Sequence, residues 1–266
     1  MIMDNLDAIR CYYEGYDEDG RLDRPHGRVE FLTTMRYLER YLMPEARILD
    51  VGAGTGRYSH ALARRGYQVD AVELIEHNIE VFQRHTLPGE LVTVIQGNAL
   101  DLSAFPDDAY DMTLLMGPMY HLAEEKDCLL ALSEAVRVTK PGGKVFAAYC
   151  MGDAALLYYG FREGHLHEIM ESCGIDPLAF DAFPKPWALF KLCRTEDMDA
   201  LNSRLPVRRI HRFAAEGYAC HMRDSIAAMS EETFDEWMRY HLATCERSSM
   251  LELSNHVVDV LEKLST

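Results

Sequence analysis

Residues 48–59 read Ile48-Leu49-Asp50-Val51-Gly52-Ala53-Gly54-Thr55-Gly56-Arg57-Tyr58-Ser59 (ILDVGAGTGRYS), a short apolar run that passes directly into glycines at every second position. The run reads as a strand, and the bare glycines let the backbone turn tightly and approach a ligand closely. The helix that follows offers unpaired N–H groups to the same ligand. In an open parallel sheet, ligands bind beyond the carboxyl ends of the strands where strand order reverses, and the loop Gly52 to Gly56 lies at such an end. A dinucleotide loop has the spacing G-x-G-x-x-G, whereas here the third glycine comes one residue early and Arg57 stands in its place.

Outward from this loop, residues 46–149 alternate short strand-like runs with helical patterns, the signature of βαβ units and a parallel sheet. The strands read as Arg47–Val51, Gln68–Val72, Val92–Gln96, Asp111–Met116 and Lys144–Tyr149. Helical patterns lie near Gly56–Arg65, Glu76–His85 and Glu124–Thr139, the last stopped by Lys140-Pro141-Gly142-Gly143, which reads as a turn. Residues 27–43 carry apolar side chains at helical spacing, so at least one amphipathic helix precedes the sheet. After Tyr149 the pattern loses strand character, and residues 151–186 read as a mostly helical insertion on the ligand side. A helix at Glu196–Ser203, a strand at Val207–Phe213 and a helix at Glu231–Thr244 follow, then a segment, Ser254–Lys263, that fits strand or helix. The expected organisation is an N-terminal helical cap (1–44), a ligand-binding core (45–150), a helical cap over the substrate (151–186) and the remainder of the fold (187–266).

A chain of 266 residues with 48% apolar and 26% charged residues is an ordinary globular composition, long enough to bury a substantial core. The N-terminus is acidic where a signal peptide is basic and apolar, and no segment approaches a membrane-spanning run, so a cytoplasmic protein without membrane attachment is expected. Seven scattered cysteines with no metal-ligand or redox spacing read as free thiols, and no metal site is expected. With 27 Lys plus Arg against 43 Asp plus Glu, the formal charge is −16, which repels nucleic acid and suits neutral or cationic small molecules.

The spacing D-x-G-x-G-x-G, running from Asp50 to Gly56, resembles the first motif of class I S-adenosylmethionine-dependent methyltransferases, and the order of the residues after it agrees. Glu73 ends the second strand in VDAVEL, Asn98 follows the third in QGNALDL, and Met116-Gly117-Pro118-Met119-Tyr120-His121-Leu122 follows the fourth. This last stretch is similar to the GPLYHL sequence of a small-molecule subgroup, of the methyltransferase domain 11/25 type. The resemblance implies a Rossmann-like α/β fold, doubly wound on a mainly parallel seven-stranded sheet, with N-terminal helices and a helical cap insertion. It also implies S-adenosylmethionine as cofactor, released as S-adenosylhomocysteine. The residues it assigns to the cofactor are Asp50, Gly52, Ala53, Gly54, Gly56, Tyr58, Glu73, Leu74, Asn98, Ala99, Met116 and Tyr13. Glu73 would accept the ribose hydroxyl protons. Asn98 stands where the family usually has Asp and reads the adenine amino group, through a carboxamide oxygen that accepts less strongly.

Transfer from a sulfonium needs alignment and exclusion of water more than activation, and alignment alone supplies effective molarities of about 10⁵ M or more. A general base is required only where the acceptor must lose a proton; His121, with Tyr120 beside it, is the candidate, against the reading that His121 bonds a backbone carbonyl. Tyr12, Tyr13 and Tyr16 either cover the cationic sulfonium or pack a helix on the core. The expected function is methyl transfer to a small-molecule N, O or S acceptor by a monomer or homodimer. The competing readings are a methyltransferase acting on protein or RNA and a nucleotide-binding oxidoreductase.

Overall fold

The computed structural model describes residues 5–265. Residues 1–4 of the expected N-terminal cap, and Thr266, lie outside the described residues. Eight strands form one sheet: β1 Arg47–Val51, β2 Gln68–Glu73, β3 Val92–Gln96, β4 Tyr110–Leu115, β5 Thr139–Met151, β6 Leu192–Cys193, β7 Val207–Ala214 and β8 His256–Lys263. Seven of them run in the order β3-β2-β1-β4-β5-β8-β7, and the two-residue β6 pairs with β5 beside that path. All pairings from β3 to β5 are parallel, whereas β8 is antiparallel to both β5 and β7. From β1 the chain steps outward through β2 to β3, then crosses to β4 on the other side, so the order reverses between β1 and β4. The loops after those two strands face one crevice.

The central position of β1 explains its composition. Ile48, Leu49 and Val51 are fully buried, as a strand covered on both faces requires. Helices flank the sheet: α1 Asn5–Gly15, α2 Pro25–Glu39, α3 Arg57–Ala63, α4 Glu76–His85, α5 Glu125–Val138, α6 Gly152–Ala155, α7 Leu166–Ser172, α8 Thr195–Asn202, α9 Arg223–Ala227, α10 Glu231–Thr244 and α11 Ser248–Leu251. A single apolar core joins the sheet to α2, α3 and α5, and a smaller cluster around Val29, Ile226, Phe234 and Met238 ties α2 to α9 and α10.

Two local expectations are refined. Lys140 to Gly143 do end α5, but they are taken into β5 as an irregularity: register passes from Tyr110 opposite Thr139 to Met112 opposite Lys144, so the residues between bulge out of the ladder. The insertion is helical only to Ser172, through α6, a π-helical stretch Leu156–Arg162 and α7. From Cys173 to Lys191 the chain is irregular apart from a bridge between Ile175 and Ala182. The C-terminal segment is a strand. Val257, Val258, Val260 and Leu261 are buried in it.

Candidate functional site

At the carboxyl ends of β1, β2 and β4 lies a cavity of about 400 Å³, within the usual size range of small-ligand sites. The glycine loop forms its floor. The loop prolongs the β1–β2 ladder, because the N–H groups of Gly52 and Ala53 donate to the Val72 carbonyl at 2.8 and 3.2 Å. Gly52 and Gly54 have φ of +76° and +56°, a conformation that L side chains seldom adopt, and a Cβ on Gly52 would lie 2.6 Å from Pro118 Cδ. The loop after β4 is therefore packed directly on the glycine loop.

Glu73 closes β2 and crosses to that loop. Its Oε2 accepts the Gly54 N–H at 2.7 Å, while Oε1 accepts the Ile75 N–H at 2.9 Å and the Asn78 amide at 3.3 Å. Burial raises the Glu73 pKa against these bonds, which oppose the rise. Asp50 is 1% exposed. Its Oδ2 accepts the Ser59 hydroxyl at 2.6 Å, Oδ1 is buried without a partner among the described residues, and burial raises its pKa to about 6. A buried, unpartnered carboxylate oxygen on a cavity wall is what a ligand carrying donors or positive charge would satisfy.

The Tyr120–His121 corner follows β4. The Tyr120 hydroxyl donates to the Met116 carbonyl at 2.9 Å. His121 Nδ1 lies 2.9 Å from the Leu189 carbonyl oxygen, which can only accept, so Nδ1 carries the proton and Nε2 is the acceptor. The Tyr13 hydroxyl, 2.8 Å from Nε2, is its donor. Burial lowers the His121 pKa to about 4, so the ring is neutral near pH 7.

Residues 49–147 match the family described as "Methyltransferase domain". The match spans the sheet from β1 into β5, so this part of the chain is similar to a methyltransferase domain. S-adenosylmethionine is the cofactor of such a domain. Over 99 residues the chain is 36% identical to the demethylmenaquinone methyltransferase of Clavibacter sepedonicus, covering 37% of this chain and 39% of that protein. Over 108 residues it is 32% identical to the ubiquinone biosynthesis O-methyltransferase of Xanthomonas campestris pv. campestris (strain B100), covering 40% of this chain and 44% of that one. The chain thus matches less than half the length of these two curated relatives. A solved SAM-dependent methyltransferase from Methanosarcina mazei superposes with a TM-score of 0.57 over 86% of this chain and 98% of its own, at 18% identity, a likeness of fold.

The cavity is lined by Asp50, Gly52, Ala53, Gly54, Tyr58, Glu73, Leu74, Asn98, Ala99, Met116, Tyr120 and His121 among others, and Tyr13 reaches it from α1. Gly56 does not line the cavity. It has φ of +88°, and a Cβ there would lie 2.5 Å from the Phe82 ring, so α3 and α4 require that glycine for packing. Asn98 is exposed, and its Oδ1 already accepts the Leu100 N–H at 3.0 Å. Among the N-terminal tyrosines only Tyr13 lines the cavity; Tyr12 stacks on Tyr16 at 4.9 Å and meets Phe190 edge-on.

Glu18 and Arg21 are among the lining residues that escaped the sequence reading. They lie in an acidic stretch, DEDGRLD, where nothing local separates a cavity residue from a solvated one. Among the described residues no cysteine lines the cavity. Ligand atoms of Glu30, Glu216 and His256 come within 4.8 Å of one another. Arg21 Nη1 donates to Glu30 at 2.7 Å, and His256 Nδ1 lies 3.1 Å from Glu216 and 3.4 Å from Glu30, so a buried ion-pair network occupies that position.

The donor set fits the cofactor. Glu73 Oε2 accepts one bond, from the Gly54 N–H, and retains a lone pair, Asp50 Oδ1 is unpartnered among the described residues, and a Cβ on Gly54 would meet nothing nearer than Glu18 Cγ at 3.6 Å. No helix among the described residues is long and apolar enough to cross a membrane.

Proposed function

We propose that the protein transfers a methyl group to a small-molecule acceptor, an aromatic compound bearing a nucleophilic oxygen. The observation that carries the reading is the arrangement of Glu73 and Asp50 around the Gly52–Gly54 loop at the strand-order reversal. Glu73 would hold the ribose hydroxyls, Leu74 and Ala99 would line the adenine, and Asn98 would read its amino group through the remaining lone pair of Oδ1. Among the lining residues Glu18, Asp50, Glu73, Glu124 and Asp127 outnumber Arg21 and Arg57, a charge balance that favours a cationic ligand. When bound, S-adenosylmethionine would supply a methyl group to an acceptor lone pair in line, the C–S bonding pair leaving with sulfur as the thioether S-adenosylhomocysteine.

The chain's part is alignment and exclusion of water. Tyr13, Tyr120 and His121 would form an aromatic wall, with Pro186 contributed by the irregular half of the insertion. His121 at a pKa of about 4 holds a phenol's proton poorly near pH 7, so its role is to fix the Tyr13 hydroxyl, and the acceptor reacts as its anion. The relative named as a ubiquinone biosynthesis O-methyltransferase supports an oxygen acceptor.

Calorimetric titration with S-adenosylhomocysteine and with NAD tests the cofactor assignment. Binding of the first alone is expected, and Gly54→Arg, which would fill the loop's open face, should abolish it. Binding of NAD in place of S-adenosylhomocysteine would favour the oxidoreductase. Incubation with methyl-labelled cofactor and simple catechols tests the acceptor class, and labelling of protein or RNA instead would move the acceptor out of the small-molecule class.

A further inference from the structure

Lys191, between the irregular part of the insertion and β6, directs its ammonium at a sulfur. Its Nζ donates to Cys128 Sγ at 3.3 Å across 63 residues of sequence, and no carboxylate pairs with it among the described residues. Cys128 lies in the first turn of α5, 1% exposed, and its thiol donates to the Leu122 carbonyl at 3.2 Å. Leu122 and Asp127 both line the cavity and Lys191 is half-buried, so the pair sits directly behind the cavity wall. Burial raises the Cys128 thiol pKa, and the neighbouring Lys191 ammonium opposes the rise. On β5 the Tyr149 hydroxyl is buried without a partner among the described residues, within the electrostatic reach of Asp259, Cys193 and Cys128. The segment that carries Lys191 crosses the Tyr120–His121 corner. The Lys191 N–H donates to the Tyr120 carbonyl at 2.8 Å, the Leu189 carbonyl holds His121 Nδ1, and the Phe190 ring centre lies 5.2 Å from that of the imidazole.

We propose that Cys128 and Lys191 form a peroxide-sensitive modification site, at which one oxygen atom joins Sγ to Nζ. A thiol and an amine in hydrogen-bond contact are separated by little more than the atom to be inserted. The thiol first gives its proton to solvent, and the thiolate attacks peroxide: the S–O bond forms, the O–O bond breaks, and the departing hydroxide takes a proton from the Lys191 ammonium as water. A second peroxide converts the freed amine to a hydroxylamine, forming the N–O bond and releasing water. The hydroxylamine oxygen then displaces water from the sulfenic sulfur and closes Sγ–O–Nζ. The two peroxides thus accept four electrons, two from sulfur and two from nitrogen, and three waters leave. The new oxygen adds an acceptor to a region where the buried Tyr149 hydroxyl has none. The bridge would fasten residues 189–191 to α5, and with them the contacts that Leu189 and Phe190 make to His121.

The experiment treats the full chain with hydrogen peroxide, digests it without reductant and maps the peptides by high-resolution mass spectrometry. The expected product is a linked pair of peptides containing Cys128 and Lys191, with the mass of the two plus one oxygen less two hydrogens, which dithiothreitol separates. Lys191→Arg keeps the positive charge but should abolish the link. The urea midpoint of wild type should rise on oxidation and fall back with dithiothreitol, while that of Lys191→Arg should not rise. The exposed Cys11 serves as the internal control for oxidant. Oxidised Cys11 beside an unmodified Cys128 overturns the proposal. So does Cys128 recovered as a sulfinic acid, or joined to Cys193, with Lys191 unchanged. These outcomes are read on wild type alone, so the proposal stays open to refutation even if the variant fails to fold.

Discussion

The Tyr13 hydroxyl donates to Nε2 of His121 across 2.8 Å, joining α1 to the loop after β4 over a separation of 108 residues. The opposite ring nitrogen is pinned by the Leu189 carbonyl, so three distant segments meet on one imidazole. Removing the donor with Tyr13→Phe leaves a buried acceptor unsatisfied, at a cost of about 1–3 kcal/mol. Urea unfolding should register that loss. An unchanged midpoint would mean that water or another group takes the place of Tyr13.

The same imidazole makes stability depend on pH. His121 is neutral in the fold with a pKa lowered to about 4, against an ordinary value of 6.5. Its contribution is fully present above the unfolded value and is lost as pH falls from 6.5 toward 4. Between pH 7 and pH 4.5 the wild-type protein should lose about 2–3 kcal/mol more than a His121→Asn variant. Parallel losses in the two proteins would show that the ring titrates without penalty.

Asp50 has the opposite sign. Its folded pKa is raised to about 6 from 3.8, so its charged form costs stability, increasingly as pH rises through that interval. Asp50→Asn should therefore stabilise the ligand-free protein by about 2 kcal/mol at pH 7, with the gain shrinking toward pH 4. The substitution should also weaken S-adenosylhomocysteine binding. A destabilised variant at pH 7 would indicate that the Ser59 bond outweighs desolvation.

Glu73→Ala removes the acceptor of the Gly54, Ile75 and Asn78 donors as well as that of the ribose. Binding of S-adenosylhomocysteine should weaken by about 1.5–3 kcal/mol. Calorimetry giving a difference near zero would place the ribose elsewhere.

Gly56→Ala separates packing from ligand contact. The added methyl meets Phe82 and His60 at a positive φ, which should destabilise by about 2–4 kcal/mol. The affinity of the folded fraction should stay close to that of wild type. A stable Gly56→Ala protein with lost binding would return Gly56 to the cofactor site.

How much of this was legible in the sequence depended on the range of the interactions involved. The strand Arg47–Val51, the glycine turn and the helices around them are set by local backbone preferences and by periodic apolar residues, so β1, β3, α4 and α10 are found with the boundaries read from the sequence. Glu73 and Met116 were legible because strand ends in a parallel sheet all deliver their next residues to one edge. The segment Ser254–Lys263 was not decided locally: a continuous apolar run suits a buried strand or a buried helix, and only a place between β5 and β7 makes it β8. Gly56 belongs by spacing with Gly52 and Gly54, yet its reason lies in a Phe82 ring 26 residues on. Tyr13 was separated from Tyr12 and Tyr16, and Glu18 and Arg21 from their acidic neighbours, only by where the folded N-terminal segment crosses the glycine loop. The sequence by itself determined the sheet and its ligand edge, because short-range sterics and burial patterns are written in consecutive residues. Only the tertiary structure decided which side chains converge on that edge, because convergence is a property of distances between segments that no local pattern encodes.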